Sequence, residues 1–123
     1  MATRKLRVLL ADDESDVRHL LRLNLELDGR FEIVGEAANG AEAVELAREL
    51  QPDAVVLDIL MPVMGGVDAL PLIRQAAPAA PVVVLSAWPE SMLADMRALG
   101  AAAYHQKQEP ATVVADTIYS LCA

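Results

Sequence analysis

Short apolar runs without polar alternation recur along the chain, separated by amphipathic stretches, and four of them lead into a residue able to do chemistry. Residues 7–11 (Arg-Val-Leu-Leu-Ala) run into Asp12 and Asp13, and residues 54–57 (Ala-Val-Val-Leu) run into Asp58. Residues 81–85 (Pro-Val-Val-Val-Leu) end at Ser86, and residues 100–104 (Gly-Ala-Ala-Ala-Tyr) lead, after two further residues, to Lys107. Runs this short and this uniformly apolar read as parallel strands buried on both faces. Strand and helix signals alternate five times, which argues for a doubly wound α/β sandwich. Crossovers between parallel strands are right-handed almost without exception, and ligands of open parallel sheets bind at the strands' carboxyl ends. An acid pair, a lone acid, a hydroxyl and an amine are thereby expected at one edge of the sheet.

The helices are read from their caps and periodicity. Ser15 is placed to cap a first helix with Val17, Leu20, Leu21, Asn24 and Leu27 on one face, and Asp28-Gly29 stops it. A second strand opens at Phe31-Glu32-Ile33-Val34. Asn39-Gly40-Ala41-Glu42 resembles a capping box, each of the two side chains satisfying a free backbone N–H. The helix it opens carries Ala43, Leu46, Ala47 and Leu50, and Gln51-Pro52 closes it. Pro71 interrupts a third helix from about Gly66 to Ala77, so a late start or a kink is expected there. A fourth is expected from Pro89, with Met92, Leu93, Met96 and Leu99 inward and Gly100 ending it. The fifth starts near Pro110 and buries Val113, Val114, Thr117, Ile118 and Leu121. Residues 1–123 make one domain, with no linker or repeat and nothing after the fifth helix for a second.

Charge narrows the partners. The net charge of -8 repels nucleic acid, and the cluster Arg4, Lys5, Arg7 is too short to reverse it, so direct nucleic-acid binding is not expected. Only 3% of residues are aromatic against 54% hydrophobic, so the core is aliphatic. Cys122 has no partner for an internal disulfide, which fits a reducing cytoplasm. No apolar stretch reaches the roughly 18 residues that span a membrane, and no signal-peptide pattern opens the chain.

Asp12, Asp13 and Asp58 at one sheet edge repel one another, and a cation is the remedy. Oxygen donors without His or Cys favour magnesium or manganese over zinc. An aspartate oxygen can attack a phosphoryl group to form an acyl phosphate, with positive charge from the metal and Lys107 and a hydrogen bond from Ser86. Singly, each piece has a plainer explanation. Acids at a helix start suit the dipole, Ser86 suits a turn, and Lys107 suits a solvated loop. Joint occurrence at four strand ends carries the reading.

This constellation resembles the receiver domain of bacterial two-component response regulators over nearly the whole chain. The residues that carry it are Leu10-Ala11-Asp12-Asp13-Glu14, Leu57-Asp58-Ile59-Leu60-Met61-Pro62, Gly66, Val84-Leu85-Ser86-Ala87, and Gly100-Ala101 with Tyr104 three residues before Lys107. The resemblance implies a flavodoxin-like (βα)5 sandwich with strand order 2-1-3-4-5. It implies a phosphoacceptor switch rather than an enzyme, in which Asp58 takes a phosphoryl group from a phosphohistidine of a sensor kinase or phosphotransfer protein. Asp13, Asp58 and the Leu60 carbonyl would bind Mg2+ directly and Asp12 through water, while Ser86 and Lys107 hold phosphoryl oxygens. Tyr104 becomes a switch aromatic that turns inward with Ser86 and biases the face of the fourth helix, fifth strand and fifth helix. That face is also a candidate homodimer surface. Output passes to a downstream protein or to an effector domain absent from these residues, and residues 28–51 look like receivers joined to helix-turn-helix outputs.

Some positions depart from the family's commoner pattern. Gln108 follows Lys107 where proline is frequent, so a cis peptide is not expected. Gly65 replaces an acidic or amide residue, which loosens the loop before the third helix. Leu60 and Trp88, two residues beyond Asp58 and Ser86, are bulky and apolar and predict a long-lived phosphoryl state. His19 and His105 lack metal-ligand spacing and read as surface or packing residues. Competing readings are a receiver fold acting only as an interaction module, a dehalogenase-type phosphatase and a flavodoxin-type carrier. The phosphatase would want a second acid where Leu60 stands, and the carrier a phosphate loop where Asp12-Asp13-Glu14 stands.

Overall fold

A computed structural model describes residues 4–87, 91 and 93–123. Strands and helices alternate as β1 (Leu6–Ala11), α1 (Ser15–Asp28), β2 (Phe31–Ala37), α2 (Gly40–Leu50), β3 (Ala54–Leu57), α3 (Gly66–Ala76), β4 (Val82–Ser86), α4 (Leu93–Ala98), β5 (Ala103–Gln106) and α5 (Ala111–Cys122). All strand pairings are parallel, in the order β2-β1-β3-β4-β5 expected from the family resemblance. The sheet separates two aliphatic cores. Leu9, Val55, Leu57, Val82 and Val84 pack under α2, α3 and α4, and Val8, Leu10, Val56, Val83 and Leu85 pack under α1 and α5. Alternate residues of one strand thus feed opposite layers, which is why the central runs carry no polar alternation.

Burial on both faces holds for β3 and β4 but not for the last run. β5 begins at Ala103 rather than Gly100 and is only half-buried throughout. Gly100, at φ +110°, and Ala101 belong instead to the end of α4: Gly100 N–H donates to Arg97 O (3.0 Å) and Ala101 N–H to Met96 O (3.0 Å). That pair of bonds is a Schellman cap, and it uses up the residues the run offered as strand.

Helix α1 departs from expectation twice. Ser15 is its first helical residue and not its cap; Glu14 stands at the cap, its side chain accepting no helix N–H, and its own N–H donates to Asp12 Oδ1 (2.9 Å). Its buried stripe is Leu21 and Leu25 with Val17 half-buried, whereas Leu20, Asn24 and Leu27 face solvent. The helix carries two leucine stripes, and the sheet takes the one spaced at four residues. In α2, Glu42 N–H donates to Asn39 Oδ1 (2.9 Å) as expected, but the Glu42 carboxylate accepts from the Asn39 side-chain amide (3.0 Å) instead of a backbone N–H. Helix α3 starts at Gly66 without delay and continues through Pro71. In α5, Val114, Ala115 and Ile118 are buried, while Val113 and Leu121 are exposed. Met96 of α4 is buried and Leu99 packs against the core; Trp88, Pro89 and Met92 lie outside the described residues.

Candidate functional site

Because β1 and β3 are neighbours with Ala11 paired to Leu57, Asp12 and Asp58 emerge side by side at the carboxyl edge. Both are buried, and Asp13 is exposed beside them. One carboxylate oxygen from each of the three lies within 4.8 Å of the others. The Lys107 ammonium reaches across from the β5–α5 loop to Asp12 Oδ2 (3.0 Å), Asp58 Oδ2 (3.1 Å) and Glu14 Oε1 (3.1 Å). The remaining oxygens are held by the backbone: Ile59 N–H donates to Asp58 Oδ1 (2.8 Å), and Asp12 Oδ1 takes the Glu14 N–H. Each buried aspartate therefore divides its two oxygens between a backbone N–H and the lysine.

Electrostatics follow from this crowding. Burial pushes the Asp58 carboxyl up, Asp12 adds to the rise, and Lys107 with the Ile59 N–H oppose it without prevailing. Burial would lower Lys107, but its bonds to Asp12, Asp58 and Glu14 win and hold the ammonium well above its usual range. Ser86, wholly buried, ends β4; its carbonyl accepts from Lys107 N–H (2.9 Å) and its side chain shares a hydrogen bond with Tyr104. The Tyr104 ring packs on the core under α3 and α4, and burial pushes its phenol up.

Local packing fixes the loop after Asp58. Gly66 N–H donates to Ile59 O (2.7 Å), and a Cβ on Gly66 would sit 2.3 Å from Asp58 O, so no larger residue fits. Gly40 N–H ties the same loop down at Met64 O (2.8 Å). Between them Val63 takes φ +66°, unusual for a β-branched residue, with Met64 N–H donating to Pro62 O (2.7 Å). Gly65 lies between these two bonded points, Met64 O and Gly66 N–H. The Leu60 side chain is half exposed beside the site, and Trp88 falls outside the described residues. The Lys107–Gln108 peptide is trans. Among the described residues no helix is long and apolar enough to cross a membrane.

Sequence reasoning missed Arg18, which donates from Nη1 to the Asp12 carbonyl and from Nε to Glu36 (3.2 Å). An arginine one turn into the helix that follows an acid pair was the available signal. His19 is exposed, as expected, while His105 has partners described below.

The response regulator receiver domain family matches residues 8–118, and the chain belongs to that family. The receiver domain of the response regulator NarL from Mycobacterium tuberculosis superposes with a TM-score of 0.91 at 30% identity, covering 98% of each chain. A chain of the CheX–CheY–BeF3–Mg2+ complex from Borrelia burgdorferi superposes at 0.87 with 29% identity, over 96% of this chain and 90% of that one. A protein-glutamate methylesterase/protein-glutamine glutaminase of Pyrococcus abyssi is 43% identical over 84 residues, 68% of this chain. The matched part is only 23% of that relative's length. The fold and family place the chain in two-component signalling as a receiver domain.

Proposed function

We propose that this receiver, taken as one domain over residues 1–123, is a phosphoacceptor switch in which Asp58 accepts a phosphoryl group. The observation that carries the reading is the buried Asp12–Asp58–Lys107 arrangement, with Asp13 completing the carboxylate set. An Asp58 oxygen attacks phosphorus of a phosphohistidine on a sensor histidine kinase or phosphotransfer protein; the P–N bond breaks, and the leaving imidazole keeps the electron pair. Desolvation sharpens the nucleophile, and the Ile59 N–H keeps the carboxylate oriented. Asp12, Asp13, Asp58 and the Leu60 carbonyl are an all-oxygen donor set of the kind that holds Mg2+, with Mn2+ a substitute. Bound there, the metal supplies positive charge to the phosphoryl oxygens. Lys107 leaves its carboxylate partners to hold one of those oxygens, and the Ser86 hydroxyl donates to another.

Readout follows the Ser86–Tyr104 bond. A shift of Ser86 toward the phosphoryl group changes what Tyr104 packs on, and biases the α4–β5–α5 face toward a downstream protein, an effector domain or a second copy. The work is regulatory, carried out in the cytoplasm, with no direct contact to nucleic acid or membrane by this domain. Leu60, half exposed beside the site, crowds the approach of hydrolytic water and prolongs the phosphoryl state.

The test is incubation with acetyl phosphate and magnesium, read by intact mass, with Asp58→Ala alongside. A magnesium-dependent phosphoryl increment that the variant lacks is expected. No increment in a wild-type protein that binds magnesium would favour an interaction module working by contact alone.

A further inference from the structure

Lys107 reaches the acids from a tight turn with no proline in it. Glu109 N–H donates to Gln106 O (3.0 Å), closing a β-turn whose second residue is Lys107. A side chain adds to that backbone closure, since Glu109 Oε1 accepts from Gln106 N–H (3.4 Å). Here the holding group is the Glu109 carboxylate, and His105 grips it: His105 Nδ1 lies 2.7 Å from Glu109 Oε2. An ionised carboxylate only accepts, so Nδ1 carries the proton. The other ring nitrogen, Nε2, lies 2.7 Å from Thr117 Oγ1, two turns into α5. The hydroxyl both donates and accepts, so this contact survives in either protonation state of the ring. His105 is largely shielded from solvent, and both its nitrogens are used.

We propose that His105 is a positioning residue for Lys107, its ring bridging Glu109 and Thr117 to fix the turn from which the lysine reaches Asp58. The inference rests on the phosphoacceptor reading, because Lys107 is the residue that meets the transferred group. Geometry supports a mechanical role. The Lys107 N–H is bonded to Ser86 O, which anchors the start of the turn to β4, and His105 anchors its end to α5. With both ends fixed, the flexible lysine stem is aimed rather than free to sample solvent. Reacting groups displaced by an ångström lose large factors in rate.

The experiment measures the rate of phosphoryl uptake from acetyl phosphate at saturating magnesium for wild type, His105→Leu, Thr117→Val and Thr117→Ser. Thr117→Val exchanges the hydroxyl for a methyl and keeps the ring of His105, so it remains informative if His105→Leu folds poorly. His105→Leu and Thr117→Val are expected to slow uptake about tenfold, while Thr117→Ser restores it. In a Lys107→Ala background neither substitution should slow it further, since the same interaction is already lost. Wild-type rates in His105→Leu and Thr117→Val, or an undiminished loss in the Lys107→Ala background, would overturn the positioning role alone. A wild type that takes up no phosphoryl group would overturn the phosphoacceptor reading and this inference with it.

Discussion

Replacing Asp58 by asparagine should stabilise the metal-free protein near neutral pH. Asp58 is 3% exposed, and burial first, then Asp12, raise its carboxyl above the ordinary value of 3.8 against the pull of Lys107. A folded-state value above the unfolded one means the native protein holds that proton more tightly. Ionised Asp58 then costs stability at every pH above its raised value, and the cost disappears as the pH falls through that value toward the ordinary one. The rise in its carboxyl gives the sign, and a single substitution that relieves a disfavoured buried charge is worth on the order of 1 kcal/mol. The exchange gives up the Lys107 bond, since an amide NH2 in place of Oδ2 donates and must turn from the ammonium. The amide oxygen can keep the Ile59 N–H bond, and Lys107 retains Asp12 at 3.0 Å and Glu14 at 3.1 Å. The assay is urea unfolding in a chelator at neutral pH and at about pH 4, where protonation shrinks the gain. Magnesium should reverse the order, since saturation at a hundredfold over Kd adds about 2.7 kcal/mol to whichever form binds it. A metal-free Asp58→Asn protein less stable than wild type would show that the Lys107 ion pair outweighs burial and repulsion, and the reasoning would fail.

Three further outcomes are expected. Val63→Gly should stabilise by about 1 kcal/mol, because Val63 is 86% exposed at φ +66° in the turn closed by Met64 N–H on Pro62 O and loses little packing when glycine relieves the backbone; unchanged urea unfolding would mean no strain is stored there. Leu25→Ala should cost about 2–5 kcal/mol and Leu27→Ala about 0.5 or less, since the first is wholly buried and the second 76% exposed; equal costs would refute the orientation of α1. Leu60→Asn with Trp88→Glu should shorten the lifetime of the phosphoryl state, read as decay of the mass increment after acetyl phosphate is removed.

The central strands and their terminal acids were legible because a parallel strand buried on both faces leaves a short, unmixed apolar run, and its end dictates where the next residue points. Helix α1 was harder to read. Leucines at 20, 21, 25 and 27 satisfy two overlapping helical stripes, and only the sheet beneath decides which is buried. β5 was misread at its start because alanines have no strand preference, and Gly100-Ala101 served a helix cap instead. Ser15 lost the cap position because the helix starts one residue earlier: Glu14 takes the extended cap conformation and its carbonyl accepts from Arg18 N–H (3.1 Å). The His105–Thr117 bond joins residues on different elements, so no local pattern announces it.

Strand β5 faces two layers, and this gives the switch reading its shape. Tyr104 packs into the core under α3 and α4 and is bonded to Ser86, whereas the next residue, His105, faces α5 and holds Thr117. Lys107 follows directly, bonded to both buried acids. On the proposed phosphoacceptor reading, a phosphoryl group on Asp58 would change the partners of Ser86 and Lys107 together, so its effect would enter β5 from both ends of this segment. One layer would feel it through an aromatic ring and the other through a hydrogen-bonded imidazole. Substituting Tyr104 alone should therefore leave α5 responsive to phosphorylation, and Thr117→Val alone should leave α4 responsive. Amide exchange in the two helices, compared with and without acetyl phosphate, separates the routes; loss of both responses in either variant would show that β5 transmits as one unit.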